Sequence, residues 1–453
     1  MRIHRIFAAL IGAALLWGQT TPTLAQNNNN NGFGGSAVGG VEVDANGVLG
    51  TMTVDQTNRL RQERQAALVD QPADLSTQTA MRKVSLKRLS AHIQEQLRSG
   101  KPIPQDAALL AGLTRIQYVF VYPEENDVVL AGPAEGWKIG PNGEVIGAKT
   151  GAPTLQLEDL ITALRLVSGD VQQNITVSID PTQDGMARFQ QYAAGLRNLA
   201  PGAANAQVVA GEIEQALGPQ KITFGGVDPT SRLARILVAA DYRMKRIGMG
   251  FEPAPINGLP SYLTMAGGGG GNAFPRWWMA ANYDSLQSSP EGDAWELKGQ
   301  GVKVMTEDSF FKANGEKVQT GKSSAAAQKW ADLMTAKFEP LAAKSPIFGE
   351  LRNVMDVAVV AALIVNKNLA TNAGLDLSVF TNDSIGYPKN EVATEVPTKA
   401  TFIKKAGASV ITASGGVDID PFTIVEKSTT TPELKSVRGE AKAAEKVAGW
   451  WWN

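Results

Sequence analysis

The sequence predicts an α/β or α+β protein of mixed sheets with packed helices, preceded by an N-terminal helical segment. Three observations carry that expectation. Of 453 residues, 43% are hydrophobic and 19% charged, a composition suited to folded, soluble cores. Between Arg115 and Ile247, short β-rich runs alternate with amphipathic stretches of helical period. Between Gln56 and Arg98, apolar residues recur at turn spacing. At roughly 150 residues per domain, the length predicts two or three domains.

Arg2 and Arg5 precede an apolar run, Ile6–Leu16, and the small-residue site Thr23-Leu24-Ala25 follows, so residues 1–25 read as an export peptide. The run is shorter than the about 20 residues needed to span a bilayer. Cleavage leaves 41 basic against 44 acidic side chains, a formal charge of −3. The Asn-rich leader and the string GGVEVDANGVLG complete residues 26–54, with a hairpin turning at Ala45-Asn46-Gly47. Residues 55–112 read as helical: Leu60, Ala67 and Leu68 first, then Met81, Val84, Leu86, Leu89, Ile93 and Leu97 after Pro72. His92 falls among the apolar positions of that second helix, as a partly buried or surface residue.

Residues 113–265 form the expected α/β domain. IQYVFVY (116–122), DVVLAG (127–132), ITVSID (175–180) and KITFGGV (221–227) are strands, and WKIGPNGEVIG (137–147) is a hairpin. Leu155–Val167, Met186–Leu199, Val208–Leu217 and Ser231–Ile247 are helices. Gly267–Gly271, within residues 266–272, reads as a linker, since no Gly-Lys-Ser/Thr makes it a phosphate loop. Residues 273–427 form an expected α+β domain. FPRWWMAANY (274–283), AWEL (294–297) and VKVMTED (302–308) are extended; Ser323–Phe338 and Ile347–Val365 are helices, the second apolar nearly all round and therefore buried. TKATFIKK (398–405), ASVITASGGVDID (408–420) and FTIVEK (422–427) read as a closing meander. A charged helix, Pro432–Val447, and the terminal Trp450-Trp451-Trp452 fill residues 428–453.

Composition removes whole classes of chemistry. Without cysteine there are no thiol nucleophiles, thiolate metal sites, disulfides or iron–sulfur clusters. The two histidines, His4 and His92, leave only one after cleavage, too few for a histidine-rich metal site. A net charge near zero argues against nucleic acid and anionic membrane as partners. No metal or cofactor is expected, and the DANG string lacks the acidic ligand that a calcium loop requires.

The strings LTRIQYVFVYPEENDVVLAGPAEGW, LVAADYRMKRIGMGFEP with GLPSYL, and SPIFGELRNVMDVAVVAALI resemble an uncharacterised family of exported planctomycete proteins known only as a domain of unknown function. The resemblance covers roughly residues 113–425 and implies a secreted, cell-envelope-type bacterial protein, with no activity or catalytic residues to transfer.

Chemistry would have to rest on carboxylates, lysine, tyrosine or serine. Glu124-Glu125 with Asp127 follows a strand end, and Glu125 and Asp127 are the candidate acid and base for a glycosidic bond. A solvated hairpin tip explains the neighbouring Pro and Asn as well and is the preferred reading. In Asp241–Arg246, Arg243 and Arg246 are candidates to grip an anion, against the preferred reading of an Asp241–Lys245 surface ion pair at a helix end. Arg276 and Trp278, with Glu307 from a later strand, are candidates to stack on a sugar or capture a partner segment, against the preferred reading of core packing. Adjacent strand residues face opposite ways, so one of Trp277 and Trp278 belongs to the core. The three terminal tryptophans should dock, preferably on the protein's own surface. The leading expectation is an exported, periplasmic or extracellular, non-catalytic protein that binds an envelope component or self-associates, without a transmembrane anchor after cleavage. The alternative is a carboxylate-dependent hydrolase of cell-wall or extracellular polysaccharide.

Overall fold

Two seven-stranded mixed sheets share one buried helix. The computed structural model describes residues 39–169, 171–196, 206–266, 273–400, 414–445 and 449–453. The expected export peptide (residues 1–25), the Asn-rich leader, the glycine run and the stretch 401–413 lie outside them, as do the ends of the expected helices beyond Leu196 and Glu445.

The chain opens with a hairpin, β1 (Val41–Val43) and β2 (Leu49–Thr51). Asp44 closes its turn by accepting from Asn46 N at 2.8 Å and Val48 N at 2.9 Å, and Gly47 takes φ +80°, which an L side chain resists. Helix α1 (Val54–Ala66) begins at a Thr53–Gln56 capping box and buries no residue fully. The helical reading of Gln56–Arg98 needs correction. A strand, β3 (Thr79–Ser85), interrupts it, and Met81 and Val84 belong to that strand. Helix α2 (Leu86–Arg98) starts directly behind, where Ser85 Oγ accepts from Arg88 N at 3.0 Å. The competing force is sheet pairing: β3 is claimed on both sides by partners remote in sequence.

Next come β4 (Tyr118–Tyr122), β5 (Asp127–Ala134), the hairpin β6 (Trp137–Ile139) and β7 (Val145–Gly147), and α3 (Leu157–Val167). Strand β8 (Ile175–Pro181), helices α4 (Gln183–Leu196) and α5 (Ala206–Leu217), strand β9 (Gln220–Gly225) and helix α6 (Arg232–Gly248) follow in the expected alternation. Beyond the glycine run lie β10 (Ala273–Asn282), β11 (Leu286–Ser288), β12 (Ala294–Glu296), β13 (Gly301–Phe311), β14 (Lys317–Gln319), and helices α7 (Ala325–Ala336) and α8 (Pro346–Asn366). The chain closes with β15 (Glu395–Val396), β16 (Ser414–Ile419), α9 (Pro421–Glu426), β17 (Ser428–Thr430), α10 (Leu434–Ala443) and β18 (Trp451–Trp452). The expected strand at Phe422–Lys427 is thus a helix. Asp420 caps it by accepting from Thr423 N at 3.0 Å, and Pro421 stands at its first position.

The first sheet runs β14-β13-β10-β16-β8-β9-β15 and the second β17-β11-β12-β4-β5-β3-β18. Both take strands from either side of the glycine run. Strand β16 does not close a meander; it lies in the middle of the first sheet, parallel to β10 and antiparallel to β8. Gly415-Gly416 makes that insertion possible, because a Cβ at Gly415 would meet Trp277 O at 1.7 Å and one at Gly416 would meet Val177 O at 1.7 Å.

Helix α8 joins two cores. Its first half, including Ile347, Phe348 and Leu351, packs with the inner face of the first sheet and with α6 and α7. Its second half, Val359–Ile364, packs with the second sheet, α2 and α3. The second sheet is covered on its other face too: α10 and Trp452 lie over Phe120, Tyr122, Val129 and Ala131. Two covered faces explain why β4 and β5 read as continuous apolar runs.

The terminal tryptophans dock on the protein itself. Trp451 and Trp452 extend the second sheet beside Val84 and Lys83, and Trp452 Nε1 donates to Ala441 O at 3.0 Å. Trp450 stacks on His92 with ring centroids 6.2 Å apart. Trp452 is 4% exposed. Trp452→Ala should therefore lower the unfolding free energy by about 3–5 kcal/mol in a denaturant titration, and a loss below about 1 kcal/mol would show the tail to be dispensable.

Candidate functional site

Strand alternation gives the first sheet two unlike faces. Inward point Ile175, Val177, Ile179, Trp277, Met279, Val302, Val304, Val417 and Ile419, all buried against α6, α7 and α8. Outward point Thr176, Ser178, Thr223, Arg276, Trp278, Lys303, Met305 and Asp418, all at least partly exposed. Trp277 is fully buried and Trp278 is not, so the pair divides between core and surface.

Trp278 is the centre of the outer face. The Arg276 guanidinium lies over its indole at 4.7 Å from the centroid, a cation–π stack. Met305, 37% exposed, stands opposite Trp278, Glu307 opposite Arg276 and Lys303 opposite Ala280. Arg276, Trp278 and Glu307, singled out in the sequence, are thus brought together. Glu307 accepts from Gly321 N at 2.6 Å, and Arg276 Nε is buried without a protein acceptor. Gly416 is in register with Trp278 and places no side chain beside it. Further along, Ser178 Oγ and Thr223 Oγ1 share a hydrogen bond of 2.7 Å, and Asp418 accepts from Asn174 Nδ2 at 3.0 Å. Among the described residues the arrangement is a largely polar sheet face with one aromatic platform.

The other sequence candidates have structural partners. Asp127, 2% exposed, accepts from Ser85 Oγ at 2.5 Å and Lys87 N at 3.0 Å, clamping the start of α2; burial pushes its pKa up. Glu125 pairs with Lys442 of α10 and lies 3.6 Å from Arg88. These two carboxylates thus serve different neighbours. Arg243 and Arg246 each donate through Nε to one oxygen of Glu252, both at 2.9 Å. The expected surface pair Asp241–Lys245 is a buried one. Lys245 Nζ donates to Asp241 at 2.8 Å, Ile179 O at 2.9 Å and Gly415 O at 3.1 Å, using all three protons. Burial pushes Asp241 up to about 6. The apolar residues flanking DYRMKR on α6 were the signal that this turn faces inward.

One constellation escaped the sequence reading. Arg232, at the first turn of α6, bridges Asp159 of α3 and Glu350 of α8, and all three are at most 5% exposed. Burial pushes Glu158 and Glu350 up to about 7 and raises Asp159 as well. Arg64 from α1 and Glu144 from the β6–β7 turn add their charges to the same cluster. The available signal was Glu350 itself, a carboxylate on a helix that reads as apolar nearly all round. Among the described residues no group of three or more acidic or histidine side chains is arranged to hold a metal ion.

Fold and face together define a mixed α+β protein with an aromatic-bearing sheet surface. A domain described as "Protein of unknown function (DUF1598)" occupies residues 177–262, from β8 through α6 to Tyr262. It falls inside the 113–425 span of the family-like strings. No curated protein and no solved structure matches the chain. Among the described residues no helix is long and apolar enough to cross a membrane.

The buried cluster predicts a pH dependence. Glu350 ionises near 4.5 when unfolded and near 7 when folded. Between those values the folded chain keeps a proton that the unfolded chain has lost, so stability falls as pH rises through this window. Glu350→Gln removes the proton exchange at one site. From about pH 5 to about pH 8, wild type should lose on the order of 2 kcal/mol relative to Glu350→Gln in denaturant titrations, whereas parallel profiles would refute the assignment.

Proposed function

We propose that this is an exported bacterial envelope protein, of the planctomycete type, that works by binding and not by turnover. Its ligand is an envelope polysaccharide laid across the open face of the first sheet. The observation that carries this reading is Trp278, a partly exposed indole on a sheet face that also carries hydroxyl, amine, guanidinium and carboxylate groups beside the thioether of Met305. A sugar ring offers an apolar face to an indole and a rim of hydroxyls to groups such as Ser178, Thr223 and Lys303. The basic start, the apolar run Ile6–Leu16 and the site at Ala25 support export.

A hydrolytic reading rests on a different observation, the near-neutral pKa of Glu158 and Glu350. Acid–base work needs substrate within hydrogen-bond reach, and both carboxylates are at most 5% exposed, which favours binding.

Two measurements test the proposal. Trp278→Ala should weaken retention on purified envelope polysaccharide about tenfold, with little change in melting temperature because the indole is already part-exposed. Unchanged retention, or release of reducing sugar by wild type but not by Glu350→Gln, would sink it. N-terminal sequencing of the secreted form should begin at Gln26; a chain that starts at Met1 would remove the export half.

A further inference from the structure

On the helical side of the first sheet, a cavity of about 60 Å³ lies where the last turn of α6 meets β8, β9 and β15. Its charged lining is Lys245, Arg246 and Lys399, with no carboxylate among the lining residues. Its apolar lining is Ile179, Met249, Phe251, Val396 and Pro397, and Phe251 is 39% exposed at the mouth. Seven of the ten lining residues belong to the matched segment 177–262.

The charges around it do not cancel. Lys245 spends its three protons on Asp241 and two carbonyls, so it shapes the wall and is not a free grip. Arg243 and Arg246 share one carboxylate, Glu252, which leaves that trio one positive charge in excess. Lys399 is 63% exposed and 3.6 Å from Glu214, a loose pair in water that an incoming anion can outcompete. The volume suits roughly four waters, or one small molecule of similar size.

We propose that this cavity binds a small carboxylate with a short aliphatic body, the carboxylate held by Arg246 and Lys399 and the body against Met249, Phe251 and Val396. The site is independent of the Trp278 face, and its failure would leave that reading untouched.

Butyrate, titrated calorimetrically into the full chain, is the probe, with butyramide as its neutral counterpart. Butyrate should give a saturable isotherm in the millimolar range, and butyramide none. Lys399→Gln should weaken butyrate about threefold to fivefold, and Arg246→Gln at least as much. Lys399 is largely exposed, so its variant reports even where Arg246→Gln unfolds. Absence of a butyrate isotherm, equal binding of butyramide, or an unchanged Kd in Lys399→Gln would each overturn the proposal.

Discussion

Burying a 21-residue helix on every side forces the remaining charges on that helix to find partners in the interior. Helix α8 carries two such carboxylates. Asp356 is fully buried and accepts from Arg115 at 2.6 and 2.9 Å, from Tyr283 Oη at 2.6 Å and from Ile116 N at 3.3 Å. Glu350 takes one side of Arg232 while Asp159 takes the other. An unpaired ion in such a place costs several kcal/mol, so each guanidinium fixes where its own segment sits. Arg115 positions the entry to β4, and Arg232 positions α6 and with it the strands beneath. The two sheets meet as they do because these partners must reach one helix.

The two sheets differ in what covers them. The second is closed on one face by α2, α3 and α8 and on the other by α10 and Trp452. The first has its helices on the inner face, and its outer face keeps a part-exposed, mostly polar row around Trp278. Sheets with one solvated face show clean alternation, and β8 and β10 do, with Ile175, Val177 and Ile179 inside and Thr176 and Ser178 outside. The proposed binding uses the less covered of the two sheets, and the buried carboxylates read as the cost of holding α8. The cavity beside Arg246 arises from the same asymmetry, at the rim where α6 ends and the edge strand begins.

Much of the local structure was legible beforehand, for definite reasons. The Asn-Gly turns formed their hairpins because a left-handed glycine satisfies the turn regardless of what surrounds it. Helix α6 followed its Ser231 cap, and α8 its all-round apolarity. The Trp277–Trp278 split followed from alternation alone. Strand β3 was misread because Leu86 onward extends its apolar spacing into a true helix, and only pairing with β5 and β18 separates the two. Helix α9 was misread because its β-branched residues outweighed the Asp-Pro start.

By itself, the amino-acid sequence determined the inventory: no thiol chemistry, two imidazoles in 453 residues, the turns, the capped helices and the aromatic positions on alternating strands. Those properties depend on residue type and near neighbours, and neighbours in sequence are always present. Only the tertiary structure decided which strands pair across the glycine run, which ion pairs are buried, that Asp127 and Glu125 serve α2 and α10, and that Trp278 stays partly exposed beneath Arg276. Each of those depends on contacts between residues tens to hundreds of positions apart, such as Arg115 with Asp356, and no local pattern carries that separation.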